Sequence, residues 1–169
     1  MNSLFYKCAS LTFLNLSNFD TKNVNNMGKM FSECEKLITI DLSSFNTRNV
    51  LDMSEMFSYC SSLKRLNLAN FYTSKVTTVK SMFKSCVNLK SLYLSNFNAK
   101  TFENMECMFK NCKSLISLDI KNLGKSSTKT TKEMFYNCWS LKNINFVQFS
   151  TPSSVTMNKM FFNCSTIST

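Results

Sequence analysis

The chain contains no histidine, one proline, one tryptophan and two glycines among 169 residues. Each shortage excludes something. Without His, acid–base catalysis near neutral pH would rest on perturbed carboxylates, thiols or lysines, and the ten acidic residues form no repeated close pair. So few glycines leave no Gly-rich phosphate loop, dinucleotide fingerprint or flexible linker, and no nucleophile motif is present. There is no C-x-x-C pair, and with His absent a structural zinc site has no ligand set. Uninterrupted apolar runs are a few residues long, too short for a transmembrane helix. Met1-Asn2-Ser3-Leu4 lacks the charged and apolar regions of an export leader. The expectation is no enzyme, no metal and no cofactor.

What remains is enough for a core, since 44% of the residues are apolar. Twenty Lys and Arg against ten Asp and Glu give a formal charge of +10, which favours acidic partners. No block of five like charges occurs, so the same composition also describes a well-solvated surface.

The dominant signal is a repeat. Leu4-Phe5, Met30-Phe31, Met56-Phe57, Met82-Phe83, Met108-Phe109, Met134-Phe135 and Met160-Phe161 each precede a cysteine, at Cys8, Cys34, Cys60, Cys86, Cys112, Cys138 and Cys164, and recur every 26 residues without insertion. A fixed period of this length means one supersecondary unit stacked on copies of itself. The consensus is M-F-x-x-C-x-x-L-x-x-L-x-L-S-x-F-x-T-x-x-V-x-x-M-x-x. The reading is one α/β repeat domain over residues 1–169, with six full coils over 4–159 and a partial seventh over 160–169. It has no distinct polar caps, as in a segment of a longer array.

Within each coil, Leu-x-Leu alternates with the period of a half-buried strand, as in Leu14-Asn15-Leu16 and Leu66-Asn67-Leu68. One short parallel strand per coil is predicted, stacked at roughly 4.8 Å. From Val50 through Met53, Met56, Phe57, Cys60 and Leu63 the apolar spacings of three and four predict a short helical or 3₁₀ return segment. Ser-x-Phe-x-Thr between them predicts a corner. Stacking turns each consensus position into a buried column, among them Phe31, Phe57, Phe83, Phe109, Phe135 and Phe19, Phe45, Phe71, Phe97, Phe149. In one coil Leu123 replaces Phe and Thr128 and Thr131 take the Val and Met slots, which predicts a looser segment from Lys121 to Lys132.

Seven of eight cysteines share one column, and Cys107 stands outside it. The coil spacing falls inside the Cα window for a disulfide, about 4.4 to 6.8 Å. Equivalent positions in stacked coils nevertheless aim their Cβ atoms alike, so free buried thiols are expected.

The consensus string, clearest from Met30-Phe31-Ser32-Glu33-Cys34 through Asp41-Leu42-Ser43-Ser44-Phe45-Asn46-Thr47-Arg48-Asn49-Val50, resembles the BspA-like leucine-rich-repeat surface proteins, in the branch described as mycoplasma lipoprotein-like repeats. The resemblance spans nearly the whole chain. It implies a right-handed leucine-rich-repeat-like solenoid, displayed at the cell surface or secreted. It also implies non-catalytic adhesion to, or recognition of, extracellular or host macromolecules.

Two surfaces are candidate sites. The outward strand residues Asn15, Asp41, Asn67, Tyr93, Asp119 and Asn145, with Phe13 and Arg65 beside them, form a face suited to docking an extracellular or host protein. At the corner, Lys22, Arg48, Lys75, Lys100 and Lys125 place one positive charge in each of five coils, a basic ridge that suits a polyanionic glycan. Stacking aromatics are missing there, which argues against sequence-specific nucleic-acid reading. A rival class is structural: coils that stack end to end into an assembly, which growth in particle size with concentration would reveal.

Overall fold

Where Leu-x-Leu alternates, the chain extends. The computed structural model describes residues 1–94, 96–98, 101–120, 123, 127–145 and 151–167. Among them are four three-residue strands, β1 (Arg65–Asn67), β2 (Ser91–Tyr93), β3 (Ser117–Asp119) and β4 (Asn143–Asn145). Leu66, Leu92 and Leu118 point inward and are buried, while their neighbours face outward, as a pleat of period two requires. β1 pairs in parallel with β2, with Arg65 opposite Ser91 and Asn67 opposite Tyr93; β3 pairs likewise with β4. The protein is a repeat solenoid with short parallel strands and, among the described residues, almost no helix.

One strand in every coil is not what forms. Leu14–Leu16 and Ile40–Leu42 pair with no sheet. Ile38 there accepts one main-chain bond, from Lys64 at 3.2 Å, and the side chains of Asn15 and Asp41 bond the N–H groups of Ser17 and Ser43 instead. A side chain that caps the chain locally competes with the ladder.

A second line of parallel contacts runs along the coils, Asn26 to Asp52 to Thr78 to Asn104 to Thr130 to Thr156. In five of these residues the side chain accepts the N–H two residues on: Asn26 from Gly28, Asp52 from Ser54, Thr78 from Lys80, Asn104 from Glu106 and Thr130 from Lys132. These Asx and Ser/Thr turns begin the return segment.

That segment is not helical, and here the sequence-based expectation is corrected. The N–H groups of Met56, Cys60 and Leu63 bond the carbonyls of Met53, Phe57 and Cys60, three residues back, so the spacing of apolar residues is that of linked β-turns. Continuous helix is blocked because Glu55 and Tyr59 hold positive φ, 57° and 59°. The same left-handed pair recurs at Lys29 and Glu33, Ser81 and Ser85, Cys107 and Asn111, and Glu133 and Asn137, none of them glycine. Such a conformation costs roughly 1–2 kcal/mol for a residue with a Cβ. What holds it is contact with the next coil. Each of these residues turns its N–H outward along the stack, Glu55 to Lys80 at 2.8 Å and Tyr59 to Lys84 at 2.7 Å. The turn conformation and the inter-coil bond therefore stand or fall together.

Inside, equivalent side chains lie over one another. Phe5, Phe31, Phe57, Phe83, Phe109, Phe135 and Phe161 form one continuous stack with centroids 5.3 to 5.8 Å apart. Met, Leu and Val columns fill the space beside them, and Phe45 stacks on Phe71 in the second Phe column. Phe149, expected in that column, lies outside the described residues.

The cysteine column is also a stitch. All eight thiols are free. Cys60, Cys86, Cys112 and Cys138 donate to the carbonyls of Phe31, Phe57, Phe83 and Phe109 in the preceding coil, each at 3.1 Å. Burial pushes the Cys86 thiol up to about 12 and holds Cys60, Cys112 and Cys138 well above the ordinary thiol range.

The corner is held by buried threonines. Thr47 Oγ1 accepts the N–H of Tyr72 at 2.8 Å and donates to the Tyr72 carbonyl at 3.0 Å; Thr21 and Thr73 do the same with Asn46 and Asn98. Thr47→Val keeps the shape and strands both backbone groups. The expected loss is about 1–3 kcal/mol in urea unfolding, and no loss would mean that water replaces the hydroxyl.

Of the segment expected to be loose, Lys121 to Lys132, Leu123, Thr128 and Thr131 are buried and Thr130 keeps its pairing on both sides. Phe102 occupies the preceding rung of the Val column and packs edge-on against Phe97, which adds volume next to Thr128. Lys121, Asn122 and residues 124–126 lie outside the described residues.

Candidate functional site

The outer face of β1 to β4 carries Arg65, Asn67, Tyr93, Asp119 and Asn145, all exposed. Phe13, Asn15 and Asp41 continue it through the two coils that lack strands. Register fixes their relation: Tyr93 stands opposite Asn67, and Arg65 lies two residues earlier on the same face. The rows are not uniform in role. Asn15, Asp41 and Asn67 each give a side-chain oxygen to the N–H two residues on, in Ser17, Ser43 and Ala69, at 2.9 to 3.0 Å. The bond from Ser43 holds the Asp41 carboxyl below its usual range. Asn15, Asp41 and Asn67 thus end their extended segments, a task that residue type alone does not separate from docking. Phe13 and Tyr93 have no such task and are 73% and 58% exposed. Two shallow hollows lie on this face, one of about 220 Å³ between Phe13, Leu16, Asp41 and Ser44, the other of about 240 Å³ between Ser117, Asp119, Asn143 and Asn145.

The corner ridge is largely engaged. Lys22 pairs with Asp20 at 2.9 Å, the Arg48 guanidinium lies over the Tyr72 ring at 4.0 Å, and Lys75 donates to Asn49 Oδ1 at 2.8 Å. Lys100 and Lys125 lie outside the described residues.

Ion pairs cluster along the return segment. Glu106 sits between Lys80 and Lys132, Glu133 bonds Lys110 at 2.5 Å, and Glu103 bonds Lys129 at 2.6 Å. The hydrogen bond from Lys110 lowers the Glu133 carboxyl. Cys107 is half-buried beside this pair, 3.8 Å from Glu133, and burial raises its thiol despite Lys110 nearby, so it is not an activated nucleophile. Among the described residues no group of three or more Cys, Asp or Glu could hold a metal ion, and no helix is long and apolar enough to cross a membrane.

Two solved structures share the fold. A leucine-rich repeat protein from Bacteroides ovatus is 23% identical with a TM-score of 0.55, over 87% of this chain and 37% of its own. A leucine-rich cell surface protein from Faecalibacterium prausnitzii is 16% identical with a TM-score of 0.55, over 94% of this chain and 46% of its own. The chain thus spans less than half of either. No curated protein matches it significantly. The family described as "Mycoplasma protein of unknown function, DUF285" matches residues 1–116 and again 60–169, which together take in the whole sequence. With its repeat, its stacked coils and this match, the chain belongs to that family, and its likeness to the BspA-like leucine-rich-repeat proteins holds.

Proposed function

We propose that residues 1–169 form one repeat domain, a right-handed coil of 26 residues per turn, that acts without catalysis as a cell-surface or secreted recognition module. Its strand face docks an extracellular or host protein. The observation that carries this is the pair of exposed aromatics, Phe13 and Tyr93, on a surface whose other residues are polar and whose backbone at Tyr93 is fixed by the pairing of β1 with β2. Rigid aromatics and arginine supply most of the energy in protein interfaces, and ordering them costs little when the scaffold is already set. Surface display is supported by the Faecalibacterium relative in fold, a cell surface protein, and by the family that the repeat resembles.

The test is surface plasmon resonance over immobilised host matrix proteins. Phe13→Ala, Arg65→Ala and Tyr93→Ala are each expected to weaken a captured partner about tenfold or more. Exposed side chains leave the fold intact, so unchanged binding by all three variants removes the strand face as the dock.

A further inference from the structure

The positive charge of this protein is segregated in a way that its sequence does not display. The carboxylates in ion pairs, Asp20, Glu55, Glu103, Glu106 and Glu133, engage lysines of the corner and return segment. Other cations there, Arg48, Lys75, Lys7, Lys84 and Lys159, have no carboxylate partner among the described residues but lie against an aromatic ring or an amide. On the lead-in to the strands the situation differs. Lys36, Lys64, Arg65, Lys90 and Lys142 are exposed, and among the described residues no carboxylate lies within ion-pair distance of any of them. Lys113 joins them, its ammonium 4.6 Å from the ring centre of the exposed Trp139. Main-chain bonds stack this strip, from Lys90 to Lys64 at 3.0 Å and from Lys142 to Ile116 at 2.8 Å. Four of five successive coils thus give at least one uncompensated cation each, and the other gives Lys113 against Trp139, over about 19 Å at the usual strand spacing. The acids nearest in sequence are Glu35 for Lys36, Glu55 for Lys64 and Arg65, Glu103 for Lys90, Asp119 for Lys113 and Glu133 for Lys142.

We infer that this strip binds a linear anionic polysaccharide along the stacking axis. A row of like charges spaced by the coil rise repels itself and is relieved by a chain carrying negative charge at regular intervals. The strip is a line one or two cations wide, which fits a polymer better than a membrane plane. One flat aromatic, Trp139, suits stacking of a sugar ring at one end. A nucleic-acid strand would need an aromatic platform at several steps, and Ile116 and the lysines supply none. The site adjoins the proposed protein dock and shares only Arg65 with it, so either can fail alone.

The experiment is fluorescence anisotropy of a labelled heparin oligosaccharide at several salt concentrations, with circular dichroism to verify folding. The parent protein is expected to bind with an affinity that falls steeply with salt. Lys64→Glu combined with Lys90→Glu and Lys142→Glu should weaken it about 30-fold or more, because every cation removed from the strip forgoes the release of a counterion from the polymer. The same charge change at the corner, Lys22→Glu, Arg48→Glu and Lys75→Glu, should weaken it less than about threefold. Equal losses from the two triple variants overturn the proposal, because net charge alone would then explain the binding. Tighter binding of a single-stranded oligodeoxynucleotide or of anionic phospholipid vesicles than of heparin overturns the choice of polysaccharide.

Discussion

Phe83→Ala should lower the unfolding free energy by about 3–5 kcal/mol, as removal of a large core ring does. The ring is fully buried and stacks on Phe57 at 5.8 Å and on Phe109 at 5.5 Å. The loss therefore has three parts: transfer of the ring from water, the void left behind, and two aromatic contacts worth about 0.5–1.5 kcal/mol each. In a solenoid each coil is held by its neighbours, so a void in a middle coil weakens two interfaces at once. Against a total stability of about 5–15 kcal/mol, that is a large share. Phe161→Ala, in the same column but 39% exposed, should cost far less. Urea unfolding of the two variants checks the comparison. Equal losses would mean that Phe83 does not share its column's packing.

Alkaline pH should unfold the protein through its thiol column. The folded chain holds Cys86 neutral up to about 12, whereas an unfolded thiol ionises near 9. Below the lower value both states keep the proton and the thiol contributes no pH dependence. Above it the unfolded chain releases protons that the folded chain retains, so stability falls as pH rises. At pH 10, by linkage, Cys86 alone should withdraw about 1.4 kcal/mol. Cys60, Cys112 and Cys138 are shifted in the same direction by the same burial and add to the loss. Urea midpoints at neutral pH and at pH 10, with thiolate absorbance recorded through each transition, measure it. The inner thiols should ionise only as the chain unfolds. Thiolate formation by the folded chain in the ordinary range would show that the column is open to water.

The same stacking explains which features are legible in the sequence and which are not. The Phe, Met, Leu and Cys positions are legible as core because burial depends mainly on side-chain chemistry, and Phe31, Cys60 and Leu89 are fully buried as their spacing implies. The return segment misleads because turns linked every three residues repeat apolar side chains with nearly the spacing of a helix. The usual marker of a left-handed turn, glycine, is replaced there by Lys, Glu, Tyr, Ser, Cys and Asn. The corner cations look like a free ridge because Tyr72 and Asn49, which engage Arg48 and Lys75, become their neighbours only through the fold, whereas Asp20, which pairs with Lys22, stands two residues from it in the sequence.

By itself, the sequence determined the interior: which side chains leave water, that they recur in columns, and that no histidine-based chemistry is available. The tertiary structure alone decided the exterior. Which cations are left uncompensated and which aromatics stay open depends on contacts between residues of successive coils, while the outward Asn and Asp caps are closed locally, on the N–H two residues on. Apolar burial is nearly indifferent to direction, whereas ion pairs, caps and left-handed turns need a particular partner at a particular distance. For the left-handed turns and for most of the ion pairs, that partner is supplied by the next turn of the chain.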